Sequence, residues 1–561
     1  MEVRIIIGGE AGQGIQTIAN IMSKFFLRLG YYVFTEQSYQ SRIRGGHNFT
    51  QIRVSSKPVY SIDDGVDILI ALNEETINLH SNELSERGVI IYDNELIKSI
   101  EVTDRFLGVP LQKTAVEKTQ SKVAINSVAC GVLVGLLDSD LALLESLIRE
   151  QFKDPEVGEK NIQAVKAGYE FGKTRNDFPF KVPFLENNTR LLIDGGSAVG
   201  FGAIVAGCRF LSAYPMTPGT AVMNYLAGHS KKYNIVVEQA EDEISAINMV
   251  LGASFAGVRS MVTTSGGGFA LMVEGLSLAG MTETPCVIHI GQRPGPATGL
   301  PTRTEQGELL FVINAGHGEF PRYVTAPRDP RDAFYKTVKA FNLADKYQIP
   351  SIILTDQFLI DSMVTIEGLN LNEVKIERYI EVNPDKNYKR HLITESGISP
   401  RALPGTDGIL VITDSDEHDE EGHITEDLEI RKKMVEKRLR KGTLLREEVE
   451  EPLYSGVQDP DIILVGWGST YGPIKESVDR LMEEGFEIGF LHFSDVYPLP
   501  CRQLEMYRDK RFVAVEGNAT GQLAQLIRRE TGIDISDKIL KYNGRPFTPS
   551  EIVREVKRIW M

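Results

Sequence analysis

The sequence predicts a multidomain α/β protein built on parallel sheets. Three observations predict it. The chain has 561 residues, and at roughly 100–200 residues per domain this makes several domains. Its 42% hydrophobic and 25% charged residues suit a large globular core. Along the chain, apolar β-type runs lead repeatedly into glycine-rich loops and then into apolar residues at helical spacing. Strand–loop–helix alternation of this kind builds sheets with helices on their faces.

Residues 1–180 read as one α/β domain. A buried strand at 3–7 runs into Gly8-Gly9-Glu10-Ala11-Gly12-Gln13-Gly14. Ile15, Ile18, Met22, Phe25, Phe26 and Leu29 then mark a helix that Gly30 ends. Further strands are expected at 31–35, 66–72 and 89–92. Residues 176–179 and 182–188 read as a linker. A second α/β domain spans 187–370, with strands at 235–238, 260–264, 286–291 and 351–355. Residues 371–455 read as a charged connector, with a helix near 426–440. A third α/β domain covers 456–561, with strands at 461–467, 487–493 and 511–516 and a helix at 474–484.

The net charge of −16 argues against wholesale binding of a nucleic-acid backbone. The apolar run at 128–137 falls short of the ~18 residues that cross a bilayer. The start, Met1-Glu2-Val3-Arg4, leads straight into a strand without signal-peptide character, so a cytoplasmic location is expected. Cys130, Cys208, Cys286 and Cys501 form no CxxC. They predict no local zinc or iron–sulfur motif and no disulfide framework, and read as buried small hydrophobes.

Several loops carry candidate chemistry. Gly9, Gly12 and Gly14 lie between a strand and a helix, where backbone N–H groups can meet a phosphate; a tight turn is the alternative. Their spacing reverses the dinucleotide fingerprint. Glu36 stands where a ribose-binding acid could sit. In Arg42-Ile43-Arg44-Gly45-Gly46-His47-Asn48, two arginines beside paired glycines suit an anionic ligand or a charged surface loop. Tyr214-Pro215-Met216-Thr217-Pro218-Gly219-Thr220 is a rigid loop that can aim the Thr217 hydroxyl at a ligand, or an ordinary turn.

Glu238 ends a strand, and Glu241, Asp242 and Glu243 open a helix whose buried stripe is Ile244, Ile247 and Leu251. First-turn acids complement the helix dipole; one buried carboxylate could instead bond a cofactor nitrogen. Thr263-Thr264-Ser265-Gly266-Gly267-Gly268 again joins strand to helix. The long loop 293–306 has the irregularity of a functional segment, and Arg303 within it offers a planar fork for a carboxylate. His418 and His423, among acids, read as part of a solvated loop.

Together these motifs resemble the 2-oxoacid:ferredoxin oxidoreductase family. The carriers are the 214–220 segment, similar to its Y-P-I-T-P-S-T signature, the loop 295–306, and the stretches 238–252 and 263–268. Residues 1–180 resemble the family's γ subunit through Gly9, Gly12, Gly14, Arg44, Gly45 and Gly46. Residues 187–561 resemble its α subunit, ending in Glu516-Gly517-Asn518-Ala519-Thr520-Gly521-Gln522-Leu523. The resemblance implies a fused γ–α subunit, most like the 2-oxoglutarate type, with a thiamine-diphosphate-fold pyrimidine-side domain and a transketolase C-terminal-like domain.

It further implies decarboxylation of a 2-oxoacid with coenzyme A as cosubstrate and ferredoxin as electron acceptor. Thiamine pyrophosphate, Mg²⁺ and a [4Fe–4S] cluster would be held mainly by a β subunit, in a (γα)₂β₂ assembly. Glu243 would be the catalytic carboxyl on the thiamine ring, with Tyr214 and Pro215 beside the cofactor. Thr217 and Arg303 would bind the substrate, with Arg293 as a second arginine, and the Gly9–Gly14 and Arg44–Gly46 loops would hold coenzyme A. No metal ligand is assigned to this chain. Met216 and Gly219 depart from the signature's Ile and Ser. The alternatives are a pyruvate-specific or broad-range enzyme, or a non-catalytic nucleotide-binding scaffold.

Overall fold

The computed structural model describes residues 1–40, 46–175, 177–185 and 189–560. It divides into two compact units: residues 1–193 with 362–368 and 548–550, and residues 194–361 with 369–547 and 551–561.

The first unit holds one eight-stranded sheet. Its order is Phe106–Val109, Leu84–Asp93, Val66–Ala71, Glu2–Glu10, His47–Ser55, Tyr32–Ser38, Met363–Glu367, Arg190–Asp194. The sheet is mixed rather than parallel. Strand His47–Ser55 pairs antiparallel with both Glu2–Glu10 and Tyr32–Ser38. The sequence does not display that strand, because His47, Asn48, Thr50, Gln51 and Arg53 break the apolar pattern although most are buried. Gly8 and Gly9 belong to the first strand and not to the loop after it. The expected linker is partly core: Phe178 and Val182 are 4% and 0% exposed and join the hydrophobic cluster of this unit.

The apolar run near 128–137 is the buried helix Ile125–Leu136, packed backbone to backbone on Pro155–Lys173. A Cβ on Gly131 would stand 2.1 Å from the Val165 carbonyl oxygen, and one on Gly168 2.2 Å from that of Val128. Among the described residues, no helix is long and apolar enough to cross a membrane.

The second unit holds two sheets. The larger runs Asp495–Tyr497, Tyr323–Thr325, Pro350–Asp356, Cys286–Gln292, Ser260–Ser265, Phe210–Ala213, Val236–Gln239. All its neighbours pair in parallel except the first two. The smaller runs Leu453–Gly456, Ile488–Phe493, Ile462–Trp467, Arg511–Glu516, Asp537–Leu540 and is parallel beyond its first strand. Parallel pairing puts the loops after 213, 239, 265 and 292 at one edge, the carboxyl ends where α/β sheets bind ligands.

The charged segment is more than a solvated connector. Its helix Leu428–Leu445 buries Lys437 and Lys441 against Glu283. His418 is 0% exposed and its ring lies 4.0 Å from that of His391, which corrects the solvated-loop reading at that position; His423 is exposed. Three cysteines are buried as expected, and Cys501 is half-buried.

Candidate active site

Asp242 caps the helix Glu243–Phe255, accepting from the Ser245 N–H at 2.7 Å. The cap relieves its neighbour of that task. Glu243 is 3% exposed, and its Oε1 has no partner among the described residues, whereas Glu238 and Glu241 are exposed. The helix turns Ile247 and Leu251 inward but leaves Ile244 51% exposed, so Ile244 is not part of the buried stripe. A carboxylate oxygen shut away from water and unpaired is costly unless a ligand completes it.

Gly268 makes room for that carboxyl: a Cβ there would stand 2.6 Å from Glu243 Oε1 and 2.1 Å from Thr264 Oγ1. Replacing Gly268 with Ala should therefore displace the carboxyl. The expected loss of turnover is on the order of 10²-fold, with circular dichroism unchanged; full activity would show that the approach is not needed.

The 214–220 loop leaves strand Phe210–Ala213, which pairs with Val236–Gln239, the strand that precedes this carboxyl's helix. Tyr214 is 41% exposed, Pro215 is exposed and Thr217 is half-buried. Arg293 Nη1 donates to the Thr217 carbonyl at 2.6 Å, and its buried Nε has no partner among the described residues. Gly219 has a packing reason for lacking a side chain. A Cβ would stand 2.6 Å from the Thr264 carbonyl oxygen, and Thr263 Oγ1 donates to the Gly219 carbonyl at 3.0 Å. Ser265 Oγ is also buried without a partner.

The structure thus brings Glu243, Thr217 and Arg293 to the carboxyl edge of one sheet. Arg303 lies further along the loop, where the turn at Gly544 packs on it: a Cβ on Gly544 would stand 3.0 Å from Arg303 Cβ. Gln306 fastens the loop. Its Nε2 donates to the Trp467 carbonyl at 2.8 Å, and its Oε1 accepts from the Gly517 N–H at 2.9 Å.

Two acids that sequence reasoning missed stand near the same edge. Burial, with Glu305 and Asp356 nearby, pushes the Glu308 carboxyl up to about 8. Asp356 is pushed up to about 6 by burial, against hydrogen bonds from Ser469 and the Leu359 N–H. In sequence they look like any other charged residues.

In the first unit, Gly12 and Gly14 have φ of 94° and 84°, a conformation suited to glycine. A Cβ on Gly14 would stand 1.9 Å from Asn126 Nδ2. Both glycines line a cavity of about 300 Å³ with Gln16, Gln37, Tyr39 and Asn48. Gly9 lies in the strand before it, and Gly46 packs on Gln40, where a Cβ would stand 2.5 Å from Oε1; Arg42, Arg44 and Gly45 lie outside the described residues.

Three family models match in succession. Residues 4–171 match pyruvate ferredoxin/flavodoxin oxidoreductase, 201–437 the thiamine-diphosphate-binding pyruvate flavodoxin/ferredoxin oxidoreductase model, and 460–552 pyruvate:ferredoxin oxidoreductase core domain II. The 2-oxoacid:ferredoxin oxidoreductase subunit alpha of a Sulfolobus species is 36% identical, covering 98% of this chain and 96% of its own. The chain belongs to the 2-oxoacid:ferredoxin oxidoreductase family.

It is an alpha subunit of that oxidoreductase, with a γ-like segment fused at its N-terminal side. The 2-oxoglutarate oxidoreductase subunit KorA of Mycobacterium tuberculosis is 29% identical over 99% of this chain and 91% of its own. The 2-oxoglutarate:ferredoxin oxidoreductase of Magnetococcus marinus superposes with a TM-score of 0.93 at 34% identity, covering 99% of both chains. That structure is described with 2-oxoglutarate, coenzyme A and succinyl-CoA bound. In the alpha subunit, Thr217, Glu243, Gly268 and Arg293 all fall inside the segment matched by the thiamine-diphosphate-binding model.

Proposed function

We propose that this alpha subunit, joined by a β subunit, oxidatively decarboxylates 2-oxoglutarate to succinyl-CoA and sends two electrons to ferredoxin, and that it runs the reverse carboxylation. The unpartnered buried Oε1 of Glu243, cradled by Gly268, carries the reading. It fits the aminopyrimidine side of thiamine pyrophosphate, which when bound supplies the carbon nucleophile and the electron sink. Glu243 holds a proton toward that ring, and Tyr214 and Pro215 border it. Thr217 and Arg293 face the substrate, with Arg303 further along the loop. The relatives named for 2-oxoglutarate support the choice of 2-oxoacid.

In this reading residues 1–180 form a γ-type domain, 187–370 the pyrimidine-side domain, 371–455 a connector and 456–561 the transketolase-like domain. Gly12 and Gly14, with the 44–46 loop, hold coenzyme A in the cytoplasm. The β subunit holds the diphosphate, Mg²⁺ and a [4Fe–4S] cluster, and two copies of each chain make a (γα)₂β₂ complex. Tyr214, Ile244 and Leu271, 41%, 51% and 51% exposed, flank Glu243 as an apolar surface for the β subunit to cover.

The test is co-expression with the β subunit and comparison of kcat/KM for 2-oxoglutarate and pyruvate. The expected preference for 2-oxoglutarate is at least about tenfold, a margin of ~1.4 kcal/mol. Equal values would favour the broad-range reading, and a complex that retains no thiamine would favour the scaffold. Arg293→Gln should raise KM for the 2-oxoacid by about 10–100-fold, the worth of a charged hydrogen bond. A larger effect from Arg303→Gln would hand the carboxylate to Arg303.

A further inference from the structure

Glu308 has no part in the reaction as described above. Its backbone N–H donates to Gln292 Oε1 at 3.1 Å, which fixes the end of the loop that Arg293 begins. Its carboxyl lies against Gly266, where a Cβ would stand 2.3 Å from Oε1 and 2.7 Å from Cδ. Its Oε2 is buried and has no partner among the described residues. Arg293 is close enough for the two charges to couple, yet Arg293 gives Nη1 to the Thr217 carbonyl and leaves its buried Nε unpaired. A buried carboxylate and a buried guanidinium this near normally close on each other; here they do not.

We propose that Glu308 is a positioning residue that sets how much of the Arg293 charge is left for the substrate's carboxylate. The proposal rests on the reading that Arg293 meets that carboxylate. As a neutral acid, Glu308 leaves the guanidinium uncancelled. Once ionised, it competes with the substrate for the same cation. Burial holds the Glu308 proton, pushed up to about 8, with Glu305 and Asp356 adding to that hold and Arg293 opposing it. The changeover thus falls in the mildly alkaline range, whereas 2-oxoacids themselves stay ionised throughout.

The experiment measures KM for the 2-oxoacid from pH 6.5 to 9 in the complex with the β subunit, at saturating coenzyme A. The parent, Glu308→Gln and Arg293→Gln are compared. Because substrate needs the neutral form, KM of the parent rises about fivefold between pH 8 and 9. In E308Q that rise disappears, while the pH profile of kcat stays shared with the parent. Coincident KM profiles of parent and E308Q, with KM raised in R293Q, overturn the role of Glu308 alone. An unchanged KM in R293Q overturns the Arg293 reading beneath it.

A second readout needs no turnover. A carboxyl raised in the folded state loses native stability as pH climbs from its unfolded value through the folded one. The unfolding midpoint of E308Q should therefore pull ahead of the parent between about pH 5 and 8 and then keep a constant lead. A lead that does not change over that range overturns the proposal.

Discussion

Glu243→Gln should lower 2-oxoacid turnover by about 10²–10⁴-fold, the range that a positioned proton-transferring side chain contributes. The subunit should still assemble with its β partner and unfold at nearly the same temperature. Gln keeps the shape and the hydrogen-bonding reach but cannot take up or release the proton. The site predicts little structural cost, because Oε1 has no partner among the described residues to lose. Asp242, not Glu243, caps the helix, so the helix start survives the change. Single-turnover decarboxylation of the reconstituted complex, with co-purification and thiamine content as controls, gives the answer. Near-normal decarboxylation with thiamine bound would remove Glu243 from the chemistry.

Much of this site was legible because its elements follow local rules. The strands Cys286–Gln292 and Pro350–Asp356 are short apolar runs, and glycines mark the carboxyl edge where the chain turns. Glu243 was separable from Glu241 by resemblance, and the structure supplies the physical reason: one is buried, the other exposed. Gly219 read as a departure from the signature, and only the approach of the Thr264 carbonyl explains it.

What stayed hidden is non-local. Strand His47–Ser55 carries polar residues that become buried only between two antiparallel neighbours. Glu308 reads as a surface acid until Gly266 closes over it. The 371–455 segment reads as solvated because its charges are dense, yet their partner lies some 150 positions earlier, at Glu283. The Lys437–Glu283 contact spans 154 residues, and no window of sequence displays it.

That contact sets up the largest stability effect. Glu283→Gln should weaken the packing of helix Leu428–Leu445 by about 3–5 kcal/mol, the cost of leaving buried charge uncompensated. The ammonium groups of Lys437 and Lys441 both bond the Glu283 carboxylate, and His391 Nδ1 lies 3.1 Å from it. Glu283, Lys437 and Lys441 are at most 1% exposed, so water cannot replace the lost anion.

Burial opposes the charge on Glu283, but Lys441, Lys437 and His391 overcome it and hold the carboxyl well below its usual range. A carboxyl lowered in the folded state contributes its stability above the unfolded value, near 4.5. It loses that contribution only as pH falls through the folded value, so it is intact at neutral pH.

Lys441 adds a second signature. Burial already lowers it to about 8, with Glu283 pulling the other way. Without that pull it sheds its proton at a lower pH, so the defect of E283Q should narrow as pH rises toward 8. Hydrogen exchange of the helix amides reads this locally and avoids assuming that a chain of this size unfolds in one step. Unchanged protection of 428–445 in E283Q would mean that apolar contacts alone hold the helix. Protection that recovers when Lys441→Met is added would place the loss in the uncompensated cations and not in the shape of the site.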